Sequence, residues 1–280
     1  MSEAWIIDAV RTPRGVGKIG KGALAEIHPQ QLGATVLKAL AERNKLNTAE
    51  VDDVIWGTSS QTGPQRGDLG RMSALDAGYD VRSSGVTLDR FCGSGITAVN
   101  FAASTIMSGM SDLVVAGGTE MMSGKGRPPP VPGTPWASPV FDSGNMRLRA
   151  KHPQTQQGVC ADTIATMQGI DRKAVDELAV ESQRRAAIAL EEGRFDKSLV
   201  PVYHEDGSLA LDHEEYPRPQ TTLEALSGLK PSFEAMADVK IDDTGATFRS
   251  LILQKYPDVD IKFVHHAGNS SGVVDGSGAL

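Results

Sequence analysis

The sequence predicts an α/β protein with a mainly parallel, mixed sheet and an inserted loop domain. Three features of the 280 residues support this class. Short apolar runs alternate with longer helix-like segments over the first 122 residues, and repeated βα units of this kind place parallel strands in one sheet covered by helices. A proline-rich stretch begins near residue 123, and strand-like segments return after residue 261.

The strands are predicted from short apolar runs bounded by glycine or polar residues. Residues 5–10 (WIIDAV) and 112–118 (DLVVAGG) are almost continuously apolar, which is typical of strands buried on both faces. The other predicted strands are residues 51–57, 85–91, 262–267 and 272–274.

Helices are predicted over residues 29–46, 68–77, 93–107 and 172–193. The first has leucine and valine at helical spacing. The third has no charged side chain, but its serine and threonine residues argue against a membrane span, so we expect a helix buried within protein. The fourth is expected to pack through one side, formed by Val175, Leu178, Ala179, Ser182, Ala186 and Leu190.

The amino-acid composition changes near residue 123. Six prolines lie within residues 128–139, and proline is excluded from helix interiors and central strands. We therefore predict an irregular excursion from the sheet at this point.

Charge and cysteine content exclude several classes of function. Twenty-eight Lys and Arg against 35 Asp and Glu give a net charge of −7, so neither nucleic acid nor an anionic membrane is an expected partner. The two cysteines, Cys92 and Cys160, can form at most one disulfide, which favours a reducing, cytoplasmic setting. The first residues lack the basic and apolar segments of a secretory signal.

Cys92 lies in the sharpest local motif, DRFCGSG, at a predicted strand-to-helix turn. The positive end of a helix stabilises a thiolate, and the backbone N–H groups there can bind an oxyanion on an attached acyl group. A packed, inert cysteine is the alternative, because free cysteines are often buried. The local sequence leaves both interpretations open.

Other candidate residues have weaker signals. We predict that Cys160 is a packed small residue, since nothing nearby would activate it. Residues 15–20 (GVGKIG) match the glycine spacing of a dinucleotide-binding turn. Dinucleotide binding is not expected, because no helix is predicted directly after Gly20. Arg218 is a candidate for contact with a phosphate or a purine, or else a solvated arginine.

The six histidines do not show the spacing of a metal site, so no metal is expected. His265 and His266 are adjacent and would point to opposite faces of a strand. Either is a candidate base for Cys92, although an ordinary core or surface role is favoured.

Six segments taken in order resemble the thiolase family, the acyl-CoA C-acyltransferases. They are IIDAVRTPRG, DRFCGSGITAVNFAASTIMSG, VAGGTEMMS, ESQRRAAIALEEGRF, LKPSF and AGNSSGVVDG. Several motifs in one order are far more specific than any one of them, and together they span almost the whole chain.

This resemblance implies a fold of two similar βα halves that form an αβαβα core, with a loop domain inserted in the first half. Residues 1–122 and 261–280 would form the N-terminal half, residues 123–260 the loop domain on the coenzyme A side, and the C-terminal half would be absent from this sequence. Cys92 matches the acyl-accepting nucleophile, Ser271 a serine beside the pantetheine arm, and Arg218 a position that packs on the adenine.

The implied reaction begins with attack of the Cys92 thiolate on a 3-ketoacyl-CoA. Acetyl-CoA leaves, and a second coenzyme A collects the acyl group; the reverse direction condenses two acyl-CoA units. Coenzyme A and acyl-CoA would be substrates, without a prosthetic group, and the full-length form would be a homodimer or homotetramer.

The sequence also departs from the family pattern. Gln156-Gln157-Gly158 stands where some biosynthetic members have His-Met-Gly, which favours the degradative, β-oxidation branch of fatty acid metabolism. The family's later segments, with the base and a second cysteine, do not occur. We therefore expect negligible turnover by this 280-residue polypeptide and an uncovered apolar surface around its uncharged helix.

Two other classes of protein are compatible with these motifs. One is a non-catalytic thiolase-like subunit that binds coenzyme A or a partner. The other is a condensing enzyme of the ketoacyl synthase type, which the CGSGITA sequence fits less well.

Overall fold

A computed structural model describes residues 3–123 and 141–280 of the chain. The contacts divide these residues into two compact units. The first unit contains the described residues up to 123, together with Leu190–Pro217 and Val273–Leu280. The second contains residues 141–189 and Arg218–Gly272. The domain boundaries predicted from the sequence stay predictions, and the prolines within residues 128–139 lie outside the described residues.

The strands are β1 Val10–Arg11, β2 Gly15–Val16, β3 Asp53–Gly57, β4 Ser84–Leu88, β5 Val114–Met121, β6 Val202–Tyr203, β7 Leu209–Leu211 and β8 Val274–Ala279. The helices are α1 Pro29–Asn44, α2 Leu69–Asp76, α3 Ser94–Ser108, α4 Met146–Lys151, α5 Gln157–Gln168, α6 Arg172–Glu191, α7 Leu223–Ser227, α8 Glu234–Ala237 and α9 Phe248–Leu253.

The first unit is built on a mixed sheet in the order β1-β8-β5-β3-β4, with β2 also paired to β8. Strand β3 is parallel to both β4 and β5, whereas β8 is antiparallel to β5 and to β1. The predicted α/β class with a mixed sheet is confirmed, with two parallel and three antiparallel pairings among the described strands of this sheet.

Strand β3 shows how the sheet separates two helical layers. Val54 and Trp56 are buried in the same cluster as the apolar side of α1. The intervening residue Ile55 packs with Ala98 and Ala102 of α3 on the other face. Because side chains alternate along a strand, helices cover both faces of this sheet.

The second unit has a smaller core of short helices. Phe248 and Leu251 of α9 are buried with Val159 of α5 and Ala237 of α8. Within the described ranges, no helix has the length and apolarity needed to cross a lipid bilayer.

Four sequence predictions differ from the structure. Residues 5–10 do not form a buried strand: β1 comprises only Val10–Arg11, and the side chains of Trp5 and Ile7 are 77% and 76% exposed. An apolar run requires a neighbouring strand to become part of a sheet, and β8 pairs with β1 only at Val10 and Arg11.

Residues 262–267 do not form the predicted strand. Their backbone amides bind side chains of α5 instead: Val264 N and His265 N donate to Asp162 Oδ1, and Lys262 N donates to Thr166 Oγ1. The final strand is longer than predicted, because β8 runs from Val274 to Ala279 and the Leu280 N–H continues the ladder to Ala116 O.

Helix α6 has the predicted length but not the predicted packing side. Leu178 is 70% exposed, and the buried residues of this helix are Asp176 and Ala189. The most buried position of α6 is therefore a polar residue, which hydrophobic periodicity does not detect.

Candidate active site

Cys92 lies in the turn that joins β4 to α3, and its side chain is exposed. Strand β4 ends at Leu88, and α3 begins at Ser94 with Gly93 as its N-cap. The predicted strand-to-helix placement of this cysteine is what the structure shows. This exposed cysteine therefore directly precedes the N-cap, at the positive end of a 15-residue helix.

The backbone before Cys92 is unusual. Phe91 has a φ of 51°, in the left-handed region that a bulky residue rarely adopts. Asp89 Oδ1 accepts a hydrogen bond from Phe91 N at 2.7 Å, and Gly93 N donates to Arg90 O at 3.1 Å. The chain thus reverses tightly through the residue that precedes the thiol.

The start of α3 rests directly on the end of β3. A Cβ atom added at Gly57 would lie 2.7 Å from the carbonyl carbon of Ser94, which is too close for any side chain. Glycine at this position therefore allows the strand to support the turn that carries Cys92.

Helix α3 exposes much of its apolar surface. Thr97, Ala98 and Ala102 are buried against the sheet, but Ile96 and Phe101 are 73% and 47% exposed. This agrees with the expectation that an uncharged helix would be incompletely covered.

A polar cluster that sequence reasoning missed lies where β3 and β5 end. The carboxylate of Glu120 accepts hydrogen bonds from Ser59 N at 2.6 Å, Ser59 Oγ at 2.7 Å and Gln65 Nε2 at 3.1 Å. Gln65 Oε1 in turn accepts from Met121 N at 2.6 Å. The partners are 55 to 61 positions apart, so no local spacing indicates this cluster.

The second unit contains the two residues predicted to contact coenzyme A. Arg218 is exposed, and its backbone N–H donates to Gln183 Oε1 at 2.7 Å. Ser271 is exposed directly after Ser270, which lines the same shallow cleft as Gln183. The volume of this cleft is about 270 Å³, which is below the roughly 300 Å³ at which small-molecule pockets begin.

The adjacent histidines have structural partners in this unit. His265 Nδ1 lies 2.7 Å from Asp162 Oδ1, and buried His266 places Nε2 2.9 Å from Asp176 Oδ1. The two rings therefore contact different helices, although the strand predicted for these residues does not form, and the favoured core role applies to His266. Burial lowers the pKa of His266, although the hydrogen bond to Asp176 opposes that shift.

Cys160 and Gln156 both lie at the start of α5. Burial raises the pKa of the half-buried Cys160 thiol, which agrees with an unreactive packed residue. Gln156 is the N-cap of α5, and its Oε1 accepts from Val159 N at 3.0 Å. In the part of the chain that the structure describes, no group of three or more His, Cys, Asp or Glu side chains could hold a metal ion.

The glycine pattern at residues 15–20 does not open a helix. Gly15 and Val16 form β2, and the next helix, α1, begins only at Pro29. As expected from the sequence, no helix begins directly after Gly20.

Comparison with known proteins gives one consistent result. Residues 4–246 match the family model described as "Thiolase, N-terminal domain". The chain is 35% identical to a beta-ketoadipyl-CoA thiolase of Acinetobacter baylyi, in an alignment that covers 100% of this chain and 66% of that protein. It is 38% identical to a steroid 3-ketoacyl-CoA thiolase of Mycobacterium tuberculosis, with coverage of 84% and 57%.

A solved structure is similar over almost the whole chain. The crystal structure of human mitochondrial 3-ketoacyl-CoA thiolase in complex with CoA matches with a TM-score of 0.75 and 28% identity, covering 99% of this chain and 64% of that one. The chain thus spans about two thirds or less of the length of these relatives.

Proposed function

The chain belongs to the thiolase family, and from that premise we propose that it carries the acyl-accepting half of an acyl-CoA C-acyltransferase, with Cys92 as the nucleophile. The observation that supports this most directly is the position of Cys92: an exposed thiol at the beginning of α3, in the turn that follows a parallel strand. Cys160 lacks this environment, because it is half-buried within α5.

In the proposed first half-reaction, the Cys92 sulfur attacks the keto carbon of a 3-ketoacyl-CoA. The bond between that carbon and the α-carbon breaks, and the departing carbanion takes up a proton to become acetyl-CoA. The acyl group remains on sulfur as a thioester until the thiol of a second coenzyme A collects it. The reverse sequence joins two acyl-CoA units.

The helix start supplies part of what this step requires. The amide groups at the N-terminus of α3 lack intrahelical partners, and their partial positive charge favours both a thiolate and an oxyanion. Proton transfer at a positioned base contributes about 10²–10⁴-fold in such reactions. His265 and His266 bind Asp162 and Asp176, so we propose neither as that base.

For coenzyme A we propose contacts with Arg218 and Ser271. Support comes from their exposure and from the crystal structure of the human relative, which is a complex with CoA. We assign the protein to the degradative branch, since the similar proteins include 3-ketoacyl-CoA thiolases and Gln156 is occupied as a helix cap.

Two further properties extend the proposal. We expect a cytoplasmic protein, in which the two free thiols stay reduced. We also expect a homo-oligomer, because β4 is an edge strand among the described strands and Val86 on it is 44% exposed. Light scattering of the purified protein measures its assembly state.

The test is acylation in a single turnover. The purified chain is incubated with acetyl-CoA or acetoacetyl-CoA, and its peptides are analysed by mass spectrometry. We expect an acyl group on the peptide with Cys92, none on the peptide with Cys160, and none on either peptide in C92S. An unlabelled Cys92 that also resists iodoacetamide would overturn the nucleophile assignment and favour a non-catalytic subunit.

A further inference from the structure

The residue before the proposed nucleophile is held by two side chains whose role the motif alone does not reveal. Ser94 is 4% exposed, and its hydroxyl donates to Phe91 O at 2.6 Å and accepts from Arg90 N at 2.9 Å. Asp89 Oδ1 accepts from Phe91 N at 2.7 Å. Both peptide groups that flank Phe91 are therefore bound by side chains.

The Phe91 carbonyl belongs to the same planar peptide group as the Cys92 N–H. Because that group is rigid, a hydrogen bond that fixes the carbonyl also fixes the direction of the N–H and the position of the Cys92 Cα. Phe91 adopts a left-handed φ of 51°, which relaxes toward negative values unless its neighbours prevent it.

Ser94 is itself firmly placed. It is the first residue of α3, and its backbone lies against Gly57 at the end of β3 so closely that a Cβ on Gly57 would be 2.8 Å from Ser94 O. The Ser94 N–H adds a second bond to Phe91 O at 3.1 Å. The sheet, the helix start and the turn are thus connected through one buried hydroxyl-bearing residue.

We propose that Ser94 is a positioning residue for Cys92: its hydroxyl, with the Asp89 carboxylate, holds Phe91 in the left-handed conformation that places the thiol at the positive end of α3. The inference rests on the proposed role of Cys92, but its geometry does not depend on which substrate is used. Ser94 touches no reacting atom and acts through the Phe91–Cys92 peptide.

The experiment measures the alkylation rate of Cys92 by iodoacetamide at pH 7, with peptide mass spectrometry to separate it from Cys160. In S94A, loss of the hydroxyl is expected to slow alkylation of Cys92 by about two- to tenfold, the range of helix-terminus effects. The rate at Cys160 is expected to stay unchanged. The matched control is S104A, because Ser104 is exposed on the same helix and donates to Asn100 O at 2.7 Å, away from the turn.

If S94A does not fold, a second pair of variants tests the same positioning of Phe91 and Cys92. D89A and D89N both remove the charge, but asparagine retains an oxygen that accepts from Phe91 N. We expect Cys92 to be alkylated faster in D89N than in D89A. Equal rates for D89A and D89N, or a wild-type rate for folded S94A, would refute the inference. Acylation of Cys92 by acetyl-CoA tests the proposed function separately, because alkylation does not require coenzyme A.

Discussion

Replacing Asp176 with asparagine is expected to destabilise the second unit strongly, although the substitution is nearly isosteric. Asp176 is 1% exposed and accepts three side-chain hydrogen bonds: from Arg172 Nε at 2.7 Å, His266 Nε2 at 2.9 Å and Asn269 Nδ2 at 2.8 Å. Burial disfavours the charged carboxylate, but these bonds outweigh it and lower the pKa of Asp176.

The expected loss of unfolding free energy follows from the interactions that D176N removes. One carboxylate oxygen becomes an amide NH₂, which then faces a donor, and the Arg172 guanidinium loses its countercharge. Loss of one partner of a buried ion pair costs about 3–5 kcal/mol. Because the Arg172 side chain is 26% exposed and retains water, we expect about 2–4 kcal/mol for D176N.

The assay is urea-induced unfolding, monitored by circular dichroism and by alkylation of Cys160, which lies in the same unit on α5. The control is E177Q on the same helix, where Glu177 Oε1 is 3.6 Å from Lys173 Nζ and both side chains are exposed. Exposed pairs of this kind contribute about 0.5 kcal/mol or less. Equal losses of unfolding free energy in D176N and E177Q would refute the reasoning.

Three further predictions concern stability. The pKa of His266 in the folded protein is lowered from 6.5, so the unfolded chain takes up a proton first as pH falls. The stabilising contribution of His266 is therefore present above pH 6.5 and is lost as pH falls below it. The urea midpoints at pH 7.5 and 5.5 should differ more in wild type than in H266Q. G57A places a Cβ against Ser94 and should cost about 1–3 kcal/mol in chemical denaturation, whereas an unchanged midpoint would contradict the close contact. Tyr79 donates to Leu37 O at 3.1 Å, and burial raises its pKa to about 12, so Y79F should lose about 1 kcal/mol in the same assay, and a more stable Y79F would contradict this hydrogen bond.

Helix α1 and strand β5 of the first unit were predictable because each has a local signal. The periodicity over residues 29–46 indicates α1, Pro29–Asn44, and the glycine-bounded run at 112–118 indicates β5, Val114–Met121. A hydrophobic pattern indicates whether a segment is buried or exposed to water, but it does not indicate which strand the segment pairs with. Residues 5–10 have the same apolar character but form only the two-residue pairing of β1 with β8.

The polar contacts could not be predicted, because their partners are distant in the sequence. Asp162 binds the amides of Val264 and His265 across more than 100 positions. Asp176 is similarly the most buried residue of α6, against the apolar pattern of that helix, and it binds His266 across 90 positions. A buried carboxylate with several donors can decide packing where apolar periodicity is weak.

The position of the turn that carries Cys92 could be predicted from the sequence because seven consecutive residues, 89–95, form a recognisable motif. Its conformation, however, depends on the contact between Gly57 and Ser94, which lie 37 positions apart and meet only when β3 packs beneath α3. The thiol is therefore marked by a local motif but placed by tertiary packing. For this reason the reactivity of Cys92 should respond to substitutions in β3 as well as in its own turn, which separates a positioned nucleophile from a cysteine that is merely exposed.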